Sequence, residues 1–510
     1  MLPFLYPASP FLVTYCLLPL CTAVFVVCAA YCCYVEYIHR KFDHIPGPPR
    51  DSFLLGHAPT LNKSSEGHKV IHDKFLEWAE QYGPIFRINI FHRVVIYAIS
   101  REAVKEFLLS PKYLKDPQVY DRLFSLFGVR FMGKGLLTDT DHEHWYKQRR
   151  IFDPAFSRIY LKEIMGTFNE KAEHLMERLM ENAEKGQKVG MHAVLNLLTL
   201  DVITKAAFGL DLNLLGERQT PLPHAVETAL LGFRHVLEKP YTQHLPQYWS
   251  FVRKVKEAAG FLRQTGKECI QKRKWAVQNG EEVPQDILTR ILKSAEEQGN
   301  YDDELMLDNF ITFFIAGQET TANQLAFTIM ELGRLPHLRD RLKDEVDEVL
   351  GQRRDVDFED LGKFNFMSQV LKESLRLYPP GPGTSRYLKE DAVIEGVRIP
   401  GGASVILNTY IMGRMEKFFK DPFVFNPERF HPDAPKPDFC YFPFVLGPRS
   451  CLGQVFSQME AKVVLAKLLQ RFEFTLAPGQ TCHIMNTSTL RPRDGVECIL
   501  KVRGEDKKKQ

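Results

Sequence analysis

The stretch Phe444-Val445-Leu446-Gly447-Pro448-Arg449-Ser450-Cys451-Leu452-Gly453 decides how the rest of the chain is read. It sets one cysteine between two glycines, with an aromatic and an arginine at fixed offsets ahead of an apolar run of helical spacing. Gly447 and Gly453 carry no Cβ, so the backbone can turn tightly and lie close against a flat partner. A helix starting just after Cys451 aims N–H groups and its positive dipole end at the sulfur, which favours thiolate over thiol. A thiolate so held is a strongly donating axial ligand for haem iron, of the kind that promotes O–O cleavage. A lone cysteine at a helix start is ordinarily buried and inert. Here the ten-residue pattern argues against that plainer reading.

Upstream, Phe313-Phe314-Ile315-Ala316-Gly317-Gln318-Glu319-Thr320-Thr321 passes from bulky apolar residues to a small pair, then to an acid and two alcohols. It lies inside a helical pattern from Asp303 to Arg334, stopped by Pro336, about 48 Å long at ~1.5 Å per residue. Ala316 and Gly317 make room over a flat group, and Gly317 weakens the ladder enough to permit a widened turn. Glu319 and Thr320 are the pair that can hold and pass protons. Further on, Glu373-Ser374-Leu375-Arg376 sets an acid and a base on one helical face, followed by Asn426-Pro427-Glu428-Arg429-Phe430. Trp145-Tyr146-Lys147-Gln148-Arg149 places an indole and a guanidinium at i, i+4, again on one side of a helix.

These segments together resemble the cytochromes P450. The cysteine loop fits F-x-x-G-x-R-x-C-x-G at every specified position, and Ala316–Thr320 fits A-G-x-[DE]-T. The others are similar to the W-x-x-x-R, E-x-x-R and P-E-R-F elements of that family. The resemblance implies a mainly α fold with small peripheral β-sheets, behind a single N-terminal transmembrane helix. It implies haem b with Cys451 as the iron ligand, surrounded by Phe444, Arg449, Gly453, Trp145, Arg149, Arg386, Ala316 and Gly317. Glu319 and Thr320 become the catalytic proton relay, which favours monooxygenation over isomerisation or non-catalytic haem or lipid binding. Glu373, Arg376 and Arg429 become a buried structural network behind the haem. Tyr120, Leu123, Phe313, Ala316, Pro382, Thr384 and Ser385 become the substrate pocket. No flavin or nicotinamide fingerprint occurs in the chain. Electrons from NADPH are therefore expected through NADPH-cytochrome P450 reductase, docked on a basic face near Lys147 and Arg150.

Within the family, the wording of His44–Arg50, Leu307–Gly317, Gln369–Pro380 and Ala434–Pro437 is most similar to the cholesterol 24-hydroxylase subfamily. That likeness implies hydroxylation of a sterol side chain, on cholesterol or a relative. Pro382 and Ser385 depart from the subfamily's pattern, which carries bulky aromatics at those two positions. Another steroid or a fatty acid is the alternative substrate.

From Phe11 to Val35 there are 25 residues without a charge, more than the roughly 20 that cross a bilayer core. Arg40 and Lys41 follow the run, and no Lys or Arg precedes it. The positive-inside rule then predicts a lumenal N-terminus and a cytosolic body. Ile45-Pro46-Gly47-Pro48-Pro49 is a stiff extended connector. The expected organisation is an anchor over 1–36, a basic and proline-rich hinge over 37–50, a catalytic domain over 51–503 and a disordered basic tail over 504–510. The expected site is the endoplasmic reticulum membrane. Asn62 and Asn486 head glycosylation sequons, which a cytosolic body leaves unmodified. A net charge of +3 without a basic arm gives no footing for nucleic acid. Ten cysteines without C-x-x-C spacing, five of them before residue 34, imply neither a zinc site nor a disulfide framework.

Periodicity predicts a helix over 70–82, strands over 85–91 and 94–99, and helices over 161–185, 195–210 and 252–275. Short strands are expected at 393–399, 404–406, 472–476 and 496–502.

Overall fold

From Leu18 the uncharged N-terminal run forms a helix that continues past the first charges, α1, Leu18–Phe42. A computed structural model of the chain describes residues 17–64, 70–216, 220–238, 243–299 and 302–504. The first part of the expected span and nearly all of the expected tail lie outside the described residues. At ~1.5 Å per residue α1 is about 37 Å long, and it is apolar enough to cross a membrane. Its side chains from Leu17 to Val27 are mostly exposed, whereas Val35, His39 and Phe42 are buried. The boundary expected between residues 36 and 37 thus falls inside one helix, and the proline connector begins only at Ile45.

The expected helix and hairpin form as α2, Ile71–Tyr82, β1, Ile85–Ile90, and β2, Arg93–Ala98. Three further strands complete that sheet: β3, Leu114–Lys115, β4, Gly383–Tyr387, and β5, Ser404–Asn408. The order is β1-β2-β5-β4-β3, with β2 and β5 parallel and the other pairs antiparallel. Register places Lys115 directly opposite Arg386. Around this sheet lies one apolar core that includes Phe86, Ile96, Phe107 and Val405. The run expected as one strand at 393–399 is instead a hairpin, because Glu395 and Gly396 both take positive φ, 50° and 74°, and turn the chain back.

A second, larger core is helical and surrounds the long central helix. Helices α3, His142–Phe152, α4, Met191–Phe208, and α5, Trp249–Gln278, belong to it with α6, Asp303–Arg334. The helix expected over 161–185 is interrupted at Ile164, giving Arg158–Glu163 and Met165–Glu184. Helix α6 is started by the Asp302 carboxylate, which accepts from the Glu304 and Leu305 N–H groups. It is buried on nearly every side, polar side chains such as Asp308, Glu319 and Asn323 included, and these three are hydrogen-bonded. Gly317 lets α6 approach α4: a Cβ there would lie 2.8 Å from Ile203 Cγ1. The widened turn that Gly317 permits does not form. The helix stays α throughout, and the Thr320 hydroxyl donates to the Ala316 carbonyl at 2.9 Å, closing the turn with a side chain.

The segment between β3 and α3 is strapped to α6 by charge. Arg130 and Arg263 of α5 both donate to the fully buried Asp308 carboxylate, at 2.5 and 2.9 Å. The Lys134 N–H adds a third bond at 2.8 Å.

Candidate active site

The loop from Pro443 to Gly453 leads into α8, Gln454–Arg471, with Gly453 as its N-cap; Asn365–Leu377 is α7. Gly447 has φ +72°, and a Cβ there would lie 2.2 Å from the Leu108 carbonyl oxygen, so only glycine fits. The Cys451 N–H donates to the Phe444 carbonyl at 2.8 Å, and Arg149 Nη1 donates to the Ser450 carbonyl at 2.9 Å. Burial pushes the Cys451 thiol up, and the Gly453 N–H and the Arg149 charge offset only part of that. The Gly453 N–H at the helix start thus acts in the expected direction, favouring thiolate against the cost of burial. Coordination to a metal would remove a ligand thiol's proton outright.

Cys451 borders a cavity of about 320 Å³, partly open to solvent. That volume lies within the roughly 300–1,000 Å³ of small-molecule sites. Phe444, Arg449 and Gly453 border it from the cysteine loop, and Phe313, Ala316, Gly317 and Thr320 from α6. Leu136, Leu137, Phe156 and Ile203 add apolar wall.

Cations gather at one end. Lys115, Arg149 and Arg449 border the cavity, and Arg386 shares a smaller adjoining pocket with Arg449. Burial holds Lys115 well below the usual lysine range, and the Arg449 and Arg386 charges push it further. Burial likewise lowers Arg386, and brings Arg449 down to about 10. Two nearby carboxylates are already engaged: Asp139 by His144 Nδ1 at 2.6 Å and Gln148 Nε2 at 2.8 Å, and Asp153 by Arg149 at 2.5 Å. Like charges facing each other across a strand pair destabilise it, and buried cations need an anion. The two propionates of haem are such anions, with geometry suited to guanidinium and ammonium donors. The residues present therefore fit the group. Lys115 was missed in the sequence, because Leu114-Lys115-Asp116-Pro117 matches no motif and only strand register reveals its partner.

The remaining expected residues divide. Trp145 is fully buried, with the Arg449 guanidinium 3.9 Å over its ring. Thr320 borders the cavity; Glu319 does not. Its buried carboxylate instead accepts from Ser488 Oγ at 2.8 Å and Thr487 Oγ1 at 3.4 Å. Those hydroxyls belong to the turn between β6, Ile484–Asn486, and β7, Leu490–Pro492. The same turn meets α6 again where Asn323 donates to Thr489 Oγ1 at 2.7 Å, and His192 bonds Asn323 at 2.7 Å. In the sequence, Thr487 and Ser488 counted only as part of a sequon.

Of the expected substrate residues, Tyr120, Phe313, Ala316 and Thr384 border the cavity. Tyr120 and Thr384 share a hydroxyl–hydroxyl bond of 3.1 Å. Leu123, Pro382 and Ser385 are not among the described bordering residues. Leu123 is buried in the helical core, and Ser385 alternates away from Thr384 along β4, as side chains on a strand do. Behind the cysteine loop, Glu373 and Arg376 of α7 pair at 2.7 Å with both side chains at zero exposure. Arg429 joins Glu373 at 3.3 Å, and Arg376 also donates to the Pro422 and Val424 carbonyls.

The fold and cavity define a class: helical enzymes that seat a macrocycle on one cysteine and receive apolar guests beside it. Residues 46–499 match the sequence profile described as Cytochrome P450, and the chain belongs to that family of monooxygenases. Cytochrome P450 4d2 of Drosophila melanogaster is 29% identical over 444 residues, covering 83% of this chain and 87% of its own length. Cytochrome P450 4B1 of Rattus norvegicus is 28% identical over 479 residues, 91% of each chain. The 11-oxo-beta-amyrin 30-oxidase of Glycyrrhiza uralensis is 32% identical over 384 residues, 71% of this chain and 72% of its own.

Proposed function

We propose that this chain is an endoplasmic reticulum monooxygenase that hydroxylates an apolar lipid, a fatty acid, terpenoid or steroid, rather than cholesterol in particular. The observation that carries the reading is the mostly apolar cavity that Cys451 borders, in a body attached to an exposed apolar helix. The relatives named above fit it: one is named for oxidation of 11-oxo-beta-amyrin.

Cys451 would hold haem iron, with Lys115, Arg149, Arg386 and Arg449 around the propionates. Haem so bound supplies O2 activation for insertion of one oxygen atom. The protein's part is to exclude water with Leu136, Leu137 and Phe313, and to hold protons at Thr320 Oγ1 and the Glu319 carboxyl. Electrons come from NADPH through NADPH-cytochrome P450 reductase, docking where Lys147 and Arg150 are exposed. Side-chain hydroxylation of a sterol is the second reading, favoured by the four stretches similar to the cholesterol 24-hydroxylase subfamily.

The test is the full chain in membranes with reductase, NADPH and a lipid extract, followed by mass analysis. The expected product is a fatty acid, terpenoid or non-cholesterol steroid that gains one oxygen, absent with Cys451→Ala. Preferential conversion of cholesterol would replace the first reading by the second. Carbon monoxide binding without any oxygenated product would remove both.

A further inference from the structure

Helix α1 is not free of the body. The Tyr31 hydroxyl bonds His92 Nδ1 at 3.1 Å, and the Tyr31 and Tyr34 rings lie 5.9 and 5.8 Å from the His92 ring. His92 stands with Phe91 in the turn between β1 and β2, and His39 Nε2 bonds the Phe91 carbonyl at 3.0 Å. One face of α1, from Tyr31 through Val35 and His39 to Phe42, is thus seated on that hairpin.

The seat fixes where the bilayer surface runs. A hairpin turn carries polar backbone groups that cannot enter hydrocarbon, so the surface lies near the level of Tyr31. Tyr31, Tyr34 and Tyr37 then form the interfacial aromatic belt. On the membrane side of Tyr31, the helix from Leu18 to Ala30 is uncharged and about 20 Å long, and in sequence the uncharged run reaches back to Phe11. The membrane segment ends about five residues earlier than composition alone puts it.

Three thiols lie at that level. Along the helix axis, Cys28 is about 4.5 Å on the membrane side of Tyr31, and Cys32 and Cys33 are about 1.5 and 3 Å on the body side. Cys33 is turned about 160° around the helix from the seated Val35. Cys28 and Cys33 are exposed, Cys32 is half-buried, and none is in a disulfide. Disulfides are not kept in a reducing cytosol. Among the described residues no His, Cys, Asp or Glu cluster could make these thiols a metal site.

Exposed cysteines at a cytosolic membrane boundary are substrates for reversible fatty acylation. We propose that Cys33, with Cys28 and Cys32, is S-acylated by a long-chain fatty acyl-CoA thioester. The Cys33 sulfur attacks the acyl carbon and forms the new thioester. The bond to the CoA sulfur breaks, and the cysteine's proton leaves with CoA as its free thiol. The added chain enters the bilayer beside α1, on the face away from the body. This proposal rests on the membrane-anchor reading and not on the choice of lipid substrate.

The full chain, expressed in eukaryotic membranes, is treated with a thiol blocker, then neutral hydroxylamine, then a maleimide mass tag. A hydroxylamine-dependent shift is expected, mostly lost in Cys33→Ser and abolished in the Cys28→Ser/Cys32→Ser/Cys33→Ser triple variant. Haem content measured alongside confirms that the variants fold. Alkaline carbonate extraction separates the two ideas. Release from the membrane overturns the anchor reading. Retention with no shift, or a shift that persists in the triple variant, overturns acylation and leaves the anchor standing.

Discussion

At the scale of single residues, Lys115 is the side chain whose position is hardest to explain without a partner. It is buried, opposite Arg386 in the strand register, and bonded to the Leu137 carbonyl. Lys115→Met removes a buried charge, so the haem-free chain should become more stable toward urea. With haem seated as proposed, the same change would remove a charge-assisted bond to a propionate, worth ~1.5–3 kcal/mol. Haem transfer to an acceptor protein should then speed up roughly tenfold or more. Opposite signs in the two measurements are the point of the experiment; a haem-free chain that is destabilised would refute the account. Ser488 makes a comparable case for Glu319. With Ser488→Ala, one donor to a buried carboxylate is lost, and product formed per NADPH consumed should fall roughly two- to tenfold, with haem content unchanged. Unaltered coupling would show that the turn does not position the acid. Neither residue could be singled out in the sequence, since each acts through a neighbour more than 150 positions away. Cys451, Arg449 and Trp145 could be singled out because their motifs are set by local spacing.

At the scale of elements, the long helix was the easiest to read and the small strands the hardest. Its limits, Asp303–Arg334, follow from an acidic cap and a proline stop, both local signals. β3 and β4 have two and five residues and exist through pairing with distant chain, so nothing local announced them. Gly317 shows the same division. Its smallness was visible, but its use lies in the close pass of α4, at Ile203, and not in a widened turn. The α7 pair offers a test of packing by charge. Glu373→Gln leaves Arg376 and Arg429 with an uncompensated buried charge, and urea unfolding should report a loss of ~3–5 kcal/mol. A loss below about 1 kcal/mol would place the pair with surface bridges of little worth.

At the scale of the whole molecule, acid stability can be traced to the junction of α2 with the segment after β5. His72 is held near a pKa of about 4, chiefly by burial and secondarily by the Arg414 charge. Its ring also lies against Tyr410 and its Nδ1 near Asn408. The unfolded chain takes up that proton near 6.5 and the folded one only near 4. Stability should therefore fall as pH drops through that window, with the protein holding fewer protons than its unfolded form. His72→Phe should flatten the slope there, as read from urea midpoints at several pH values; an unchanged slope would assign the acid limb elsewhere. The Asp308 clamp bears on how guests reach the interior. Leu136 and Leu137, part of the wall around an oily chamber, belong to a segment fastened through Arg130 and Arg263 to one buried carboxylate. Arg130 is 36% exposed, within reach of dissolved ions, while Asp308 is not exposed at all. Added salt screens the exposed half of such a fastening. Loading of a greasy molecule should accordingly quicken with ionic strength in stopped-flow measurements, and Arg130→Gln should load fast at any salt. The wall that keeps water out is thus held shut by the groups most at home in it.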